Sequence, residues 1–410
     1  MNNPSKTARF AAFSSKAFVF YWWARFFATF SVQIVAVAVA WQVYDLTRDP
    51  KDLGILGIVQ FLPMLLLVLV TGTVADRFGR RLVMSVALVL EIVCAATILY
   101  FSWRGLITPM PIFIALAILA IGRAFFGPAS QALLGGLVPV QDFANAVSWN
   151  SSAWQVASLV GPVAGGFLYG ASANVAYGVA VILLVFALLL LLRVPEPPPP
   201  KEIRRITFNS VFEGLHFIRK EKVVLGAISL DLFAVLLGGA VALMPVYARD
   251  ILQLGPLGLG FLRAAPGIGA VLTAAFLATS PIRDHAGRIL LMFVALFGVF
   301  TIMFGVSTWA WLSIIALALI GAADMVSVVI RETLLQLWTP DPVRGRVNAV
   351  NMVFLGASNE LGEFRAGFMA AWIGVVPAVV FGGVGAVVVA AAWIVIFPQL
   401  RDVRYLNKQE

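Results

Sequence analysis

Gly72-Thr73-Val74-Ala75-Asp76-Arg77-Phe78-Gly79-Arg80-Arg81 is a short charged interruption between two long apolar runs, roughly 51–75 and 81–103. Gly79 permits the sharp turn that sends the second run back beside the first, and Asp76 with three arginines marks a polar boundary. Apolar runs of about 20 residues match a ~30 Å hydrocarbon core. The same pattern continues outward from this junction. Charge clusters, Pro and Gly divide the chain into twelve apolar segments, roughly 17–44, 51–75, 81–103, 110–138, 142–170, 173–194, 223–249, 255–280, 286–306, 309–338, 346–372 and 375–399. Each is predicted to be a helix, because a lone span in lipid has no other way to satisfy its backbone.

Composition excludes a water-soluble enzyme. Across 410 residues 61% are hydrophobic and 12% charged, against about 25% charged in a typical soluble domain. Lys6, Arg9 and Lys16 precede the first run, but it extends to about Tyr44, beyond the ~7–15-residue core of a cleaved signal, so it is read as helix 1. Cys94, the single cysteine, has no partner for a disulfide or a metal. His216 and His285 fall in loops, and no G-x-x-x-x-G-K-S/T stretch is present to hold ATP. No cofactor and no metal are expected.

The net charge of +9 does not point to nucleic acid. With both termini in the cytoplasm, only Arg48, Lys51, Arg104 and Arg249 of the 29 Lys and Arg residues fall in outer loops, and five lie in the spans. That asymmetry is the positive-inside rule, and it predicts a multi-pass protein of a bacterial-type inner membrane. Pro195 and Pro197 to Pro200, followed by Lys201, Arg204 and Arg205, form a polar linker. The expected organisation is a bundle over 1–194, a cytoplasmic linker over 195–222 and a second bundle over 223–410. The halves echo each other: Leu53-Gly54 and Pro63 recur as Leu257-Gly258 and Pro266, Asp76 to Arg80 as Asp284-His285-Ala286-Gly287-Arg288, and Asn145-Ala146-Val147 as Asn348-Ala349-Val350. Such duplication marks transporter folds.

The Gly72–Arg81 stretch resembles the G-x-x-x-D-R-x-G-R-R signature loop of the major facilitator superfamily, with every defining position filled. The resemblance implies an all-α membrane fold of twelve helices in two pseudo-symmetric six-helix bundles, with Gly72, Asp76, Arg77, Gly79, Arg80 and Arg81 as a cytoplasmic gate. Ala157 to Gly166 is similar to the G-x-x-x-G-P-x-x-G-G motif of the superfamily's antiporters, carried by Gly161, Pro162, Gly165 and Gly166, with Ala157 in place of the first Gly. Small residues let helix backbones approach, so this stretch also reads as a packing surface. Arg123 and Gly127 match an R-x-x-x-G core whose arginine is associated with proton coupling. Arg123 to Ala129, Leu262 to Pro266 and Asn359 to Phe364 resemble the enterobactin-exporter-like branch, which implies efflux of a siderophore or another amphipathic organic molecule.

Charges inside the bilayer cost at least ~2.5–3.5 kcal/mol each and normally face a cavity or a partner. The spans hold Glu91, Asp231, Asp324, Glu332, Glu360 and Glu363 against Arg25, Arg123, Arg263, Arg331 and Arg365. Asp324 and Arg331 share a helix face; Gly356, Glu360, Glu363 and Gly367 form a stripe. Glu91, Arg123, Asp324, Glu360 and Glu363 are the proton-coupling candidates, and Arg123, Arg263, Arg331, Asp231 and Gln60 the substrate-binding candidates. Asp231 and Glu332, nearer the ends of their spans, read as structural or gating groups, and Arg25 as a rim residue. The leading expectation is a monomeric proton-coupled exporter working by alternating access, with a small-molecule substrate, protons and the lipid bilayer as its partners. Uptake or lipid movement by the same fold, and a receptor or scaffold without transport, remain open alternatives; buried ion pairs that only fix helix register are the structural reading of the same charges.

Overall fold

The computed structural model describes residues 6–105, 108–196, 208–280, 282 and 284–406; the prolines and basic residues of 197–207 lie outside the described residues. Two compact units form, one of residues 1–46 and 62–205, the other of 47–61 and 206–410. Among the described residues every regular element is helical. The chain runs through α1 Lys16–Thr47, α2 Pro50–Phe78, α3 Arg80–Trp103, α4 Met110–Leu134, α5 Phe143–Ala171 and α6 Ala173–Leu191. A short α7 Phe208–Lys220 precedes α8 Lys222–Gly238 and α9 Met244–Val246; then come α10 Gly255–Thr279, α11 Ala286–Val306, α12 Ala310–Trp338, α13 Asp341–Ile373, α14 Val375–Ile396 and α15 Pro398–Arg401.

Among the described residues ten spans are long and apolar enough to cross a membrane, with Lys222–Ile251 counted as one. The helices α5 and α13 are 29 and 33 residues long, about 40–50 Å at 1.5 Å per residue, but more polar. Asn145, Asn150 and Gln155 on α5, and Glu360, Glu363 and Arg365 on α13, lower their hydropathy without shortening them. Together they make the twelve helices that the segment pattern predicts. Leu66, Leu272 and Val395 are 69%, 66% and 79% exposed, surface that only a lipid solvent tolerates in such amount.

Close approach and internal hydrogen bonds hold the first unit together. A Cβ on Gly161 would stand 2.6 Å from the Cβ of Gln33, and one on Gly165 would stand 3.0 Å from the Cα of Ile34. The antiporter-like stretch is therefore the face on which α5 meets α1. Polar side chains are paired internally, as they must be in an apolar medium: Tyr177 donates to Gln42 Oε1 at 2.6 Å, Ser31 to the Ala180 carbonyl at 2.9 Å and Tyr21 to the Ser130 carbonyl at 2.9 Å. Near the chain start, Phe13 packs edge-on against Phe18, Trp22 and Trp149.

In the second unit α8 stops at Gly238, and Gly239 takes φ +20°. A 3-10 stretch Ala240–Leu243, α9 and a π-turn Tyr247–Ile251 complete the span. Arg365 of α13 closes the broken end by donating through Nε to the Leu236 carbonyl at 3.0 Å and through Nη2 to that of Leu237, the favourable placement of a cation at a helix C-terminus. The stripe Gly356, Glu360, Glu363 and Gly367 packs on the first half of α2. A Cβ on Gly54 would lie 2.8 Å from the Phe364 carbonyl oxygen, one on Gly367 would lie 2.6 Å from the Gly54 nitrogen, and one on Gly57 would lie 3.2 Å from Glu360 Oε2. Asp231 of α8 and Arg331 of α12 form an ion pair with side chains only 8% and 3% exposed.

Two stability measurements check this packing. Gly161→Leu will lower thermal stability in detergent by about 1–3 kcal/mol through overpacking, whereas Gly178→Leu, where a Cβ meets nothing within 4 Å, will leave it nearly unchanged. Asp231→Asn strands a buried guanidinium and will cost about 3 kcal/mol, and the double change Asp231→Leu with Arg331→Met will recover most of that loss.

Candidate functional site

The signature loop acts first on its own unit. Gly79 takes φ +85°, a conformation that L side chains avoid, and forms the turn between α2 and α3. From that turn Arg80 Nη1 donates to the Ala132 carbonyl near the end of α4 at 2.7 Å. The backbone N–H of Arg81 donates to Glu196 Oε1 at 3.2 Å, and Arg81 Nη1 donates to the Val194 carbonyl at 2.8 Å. Glu196, 3.6 Å from Arg81 Nε, is a partner the sequence reading did not single out, because it sits among prolines more than 100 residues away. Arg77 lies over the Phe78 ring at 5.5 Å. The side chains of Gly72 and Asp76 are outside the described residues.

The second-half echo is clasped in the corresponding way. The N–H groups of Ala286 and Gly287 donate to the carbonyls of Arg404 and Val403 at 3.1 and 3.0 Å, just beyond α15. Here His285, not the glycine, takes the left-handed backbone, at φ +57°. A Cβ on Gly287 would lie 1.8 Å from the Leu400 carbonyl oxygen, so that glycine serves close approach. Beside this clasp, hydrogen bonds from Arg401 at 2.8 and 3.0 Å hold the Asp402 carboxyl below its ordinary range.

Each unit holds a cavity lined by intramembrane charges. In the first, about 260 Å³ is lined by Arg25, Thr29, Gln33, Glu91, Arg123 and Trp154 among others. Glu91 is 2% exposed, and its Oε2 has no hydrogen-bond partner among the described residues. Glu91 and Arg123 thus share one chamber, as their mid-helix positions predict. Arg25, expected at the rim, belongs to the same chamber; the third turn of α1 already reaches the cavity.

In the second unit about 180 Å³ is lined by Asp324 and Glu363 with Asn359, Thr301, Gly238 and Gly239. A smaller adjoining space is lined by Asp231, Asp324 and Ser327, so Asp324 stands at the junction of the two. Arg263 of α10 feels the charge of Glu363, and its Nε has no hydrogen-bond partner among the described residues. Asn351 donates to Glu332 Oε1 at 3.2 Å. Four candidates do not line these chambers: Arg263; Arg331, which is paired with Asp231; Glu360; and Gln60. Glu360 stands against Gly57 of α2, and the Gln60 amide turns back to the Leu56 carbonyl at 3.3 Å.

Chemically, the second unit holds protonatable carboxylates in a cavity, and no cluster of His, Cys, Asp or Glu that could hold a metal occurs among the described residues. Residues 7–409 match the family described as transmembrane secretion effector. The enterobactin exporter EntS of Escherichia coli O9:H4 (strain HS) is 27% identical over 394 residues, 94% of this chain and 93% of the exporter. EntS of Shigella boydii serotype 18 gives the same figures. Among solved structures, a D-xylose-proton symporter has a TM-score of 0.71 at 15% identity, covering 94% of this chain and 98% of that one. A bacterial homolog of the human lysosomal transporter Spinster has a TM-score of 0.71 at 14% identity, covering 95% and 97%. At those identities the likeness is one of fold. With twelve helices, a complete signature loop and a match over nearly its whole length, the chain belongs to the transmembrane secretion effector family of major facilitator transporters and is not an enzyme.

Proposed function

We propose that the protein is a proton-coupled exporter of a siderophore or another amphipathic organic molecule, working by alternating access from the cytoplasmic side of a bacterial-type inner membrane as a monomer with both termini in the cytoplasm. The observation that carries the reading is the pair of carboxyl side chains, Asp324 and Glu363, in one enclosed space of the second unit. Two acids at membrane depth are costly unless they exchange protons or find partners. The nearby Arg263 offsets one negative charge, and the second acid then takes up and releases a proton. Export as the direction rests on the enterobactin exporters to which 94% of the chain is similar. The arginine-rich loop at Arg77, Arg80 and Arg81 acts as the gate element at the cytoplasmic rim.

The test uses inside-out vesicles and a ligand first identified by thermal shift across siderophores, hydrophobic drugs and lysolipids. Acidifying the vesicle interior will drive accumulation of that ligand. Asp324→Asn and Glu363→Gln will each cut the gradient-driven rate by at least tenfold while leaving counterflow exchange within about twofold. Accumulation that ignores the gradient removes the coupling, accumulation driven by an alkaline interior reverses the direction, and a protein that moves nothing at all is a receptor or scaffold.

A further inference from the structure

The intramembrane arginines are not equivalent in what they touch. Arg331 is committed to Asp231, Arg365 to the Leu236 and Leu237 carbonyls, and Arg263 faces Glu363. Arg123 differs from the first two and, like Arg263, feels the charge of an acid in its own unit, Glu91, without a direct bond to it. It lies about midway along α4, its side chain is exposed into the cavity of the first unit, and among the described residues it makes no hydrogen bond and no ion pair within 4 Å. Arg25, on the same cavity, makes one hydrogen bond among the described residues, to the Tyr21 hydroxyl at 3.3 Å. Two guanidinium groups and one carboxylate, Glu91, therefore line the chamber, a formal surplus of one positive charge.

A guanidinium held at membrane depth with its donors unmet is set up for an anion from outside the protein, and the planar fork of arginine matches a carboxylate through two parallel hydrogen bonds. The remaining walls describe the rest of the ligand. Trp154, 51% exposed, and Phe126 present aromatic surface to the same space, while Thr29 and Gln33 supply hydrogen-bonding groups. At about 260 Å³ the chamber is slightly below the ~300–1,000 Å³ of ordinary ligand pockets, which suits one or two fused rings or one arm of a larger molecule.

Resting on the transport reading above, we propose that this cavity of the first unit is an organic-anion site, in which Arg123, assisted by Arg25, binds the acidic group of a substrate whose flat ring lies against Trp154. The sign of Glu91 follows from this assignment. Its carboxylate repels the ligand's anion, so neutralising Glu91 tightens binding. Glu91 is then not the group whose protonation expels the substrate, and proton exchange falls to Asp324 and Glu363 in the other unit.

Isothermal titration of 2-naphthoate into the purified protein in zwitterionic nanodiscs tests the assignment, with 2-naphthamide as the uncharged control and cyclohexanecarboxylate as the anion without an aromatic ring. Saturable 2-naphthoate binding is expected, at least tenfold tighter than 2-naphthamide. Arg123→Gln will weaken it at least tenfold, Arg123→Lys by less, and Glu91→Gln will strengthen it severalfold. Trp154→Ala will weaken 2-naphthoate more than cyclohexanecarboxylate. Thermal unfolding of each variant without ligand confirms that it is folded, and Glu91→Gln, as a gain of affinity, does not depend on tolerance of a damaging change. Absence of saturable binding, equal affinity for 2-naphthamide, no effect of Arg123→Gln in folded protein, or weaker binding by Glu91→Gln each overturns the proposal. Equilibrium titration needs no proton gradient, so such a result removes the anion assignment and leaves the exporter reading to the vesicle assay.

Discussion

An ionised side chain inside a hydrocarbon slab has no water to fall back on, and most of what is distinctive here is a response to that constraint. Most charges in the spans are drawn to a counter-charge, a helix end or a cavity. Asp231 and Arg331 take the first solution and stitch α8 to α12. Arg365 takes the second, and by doing so makes the break at Gly238 and Gly239 affordable. The third solution, an enclosed chamber, is reserved for Glu91 and Arg123 in one unit and for Asp324 and Glu363 in the other. Charges of the third kind face open space, and Glu91 and Glu363 also feel the opposite charge of Arg123 and Arg263 within their own units.

The same scarcity of alternatives explains how the helices approach one another. Without a hydrophobic drive between apolar helices in lipid, association depends on close contact through small residues. Gly161 and Gly165 bring α5 onto α1; Gly54, Gly57 and Gly367 bring α13 onto the first half of α2. One consequence falls on Glu360 and Glu363. They lie on one stripe, yet Gly57 occupies the space in front of Glu360 while Glu363 reaches the cavity.

The fold was legible in the sequence because hydrocarbon thickness imposes a length and an apolarity that few residues can evade. Even α5 and α13, the two most polar helices, announced themselves through their spacing and flanks. The site was legible only in part. Glu91, Arg123, Asp324 and Glu363 could be picked out because a charge in an apolar run is conspicuous, and Arg331 because it shares a face with Asp324. What the sequence does not carry is rotation about neighbouring helices. Whether Arg331 meets Asp231 or a ligand, whether Arg25 looks to the rim or to the chamber, and whether Gln60 points inward all depend on contacts over 100 residues or on the local backbone. Glu196 was hidden for a related reason, since a glutamate among prolines gives no sign that the turn at Gly79 will seat against it.

The two loop clasps have a consequence for how the chain is made. Each glycine-containing turn, at 79 and at 287, is fastened to backbone or carboxylate groups that follow the sixth span of its own half: Val194 and Glu196 in one case, Val403 and Arg404 in the other. During synthesis those acceptors emerge last. In the first bundle the bond from Arg80 to Ala132 of α4 can form earlier, but the bonds to Val194 and Glu196 complete the clasp only after the sixth span.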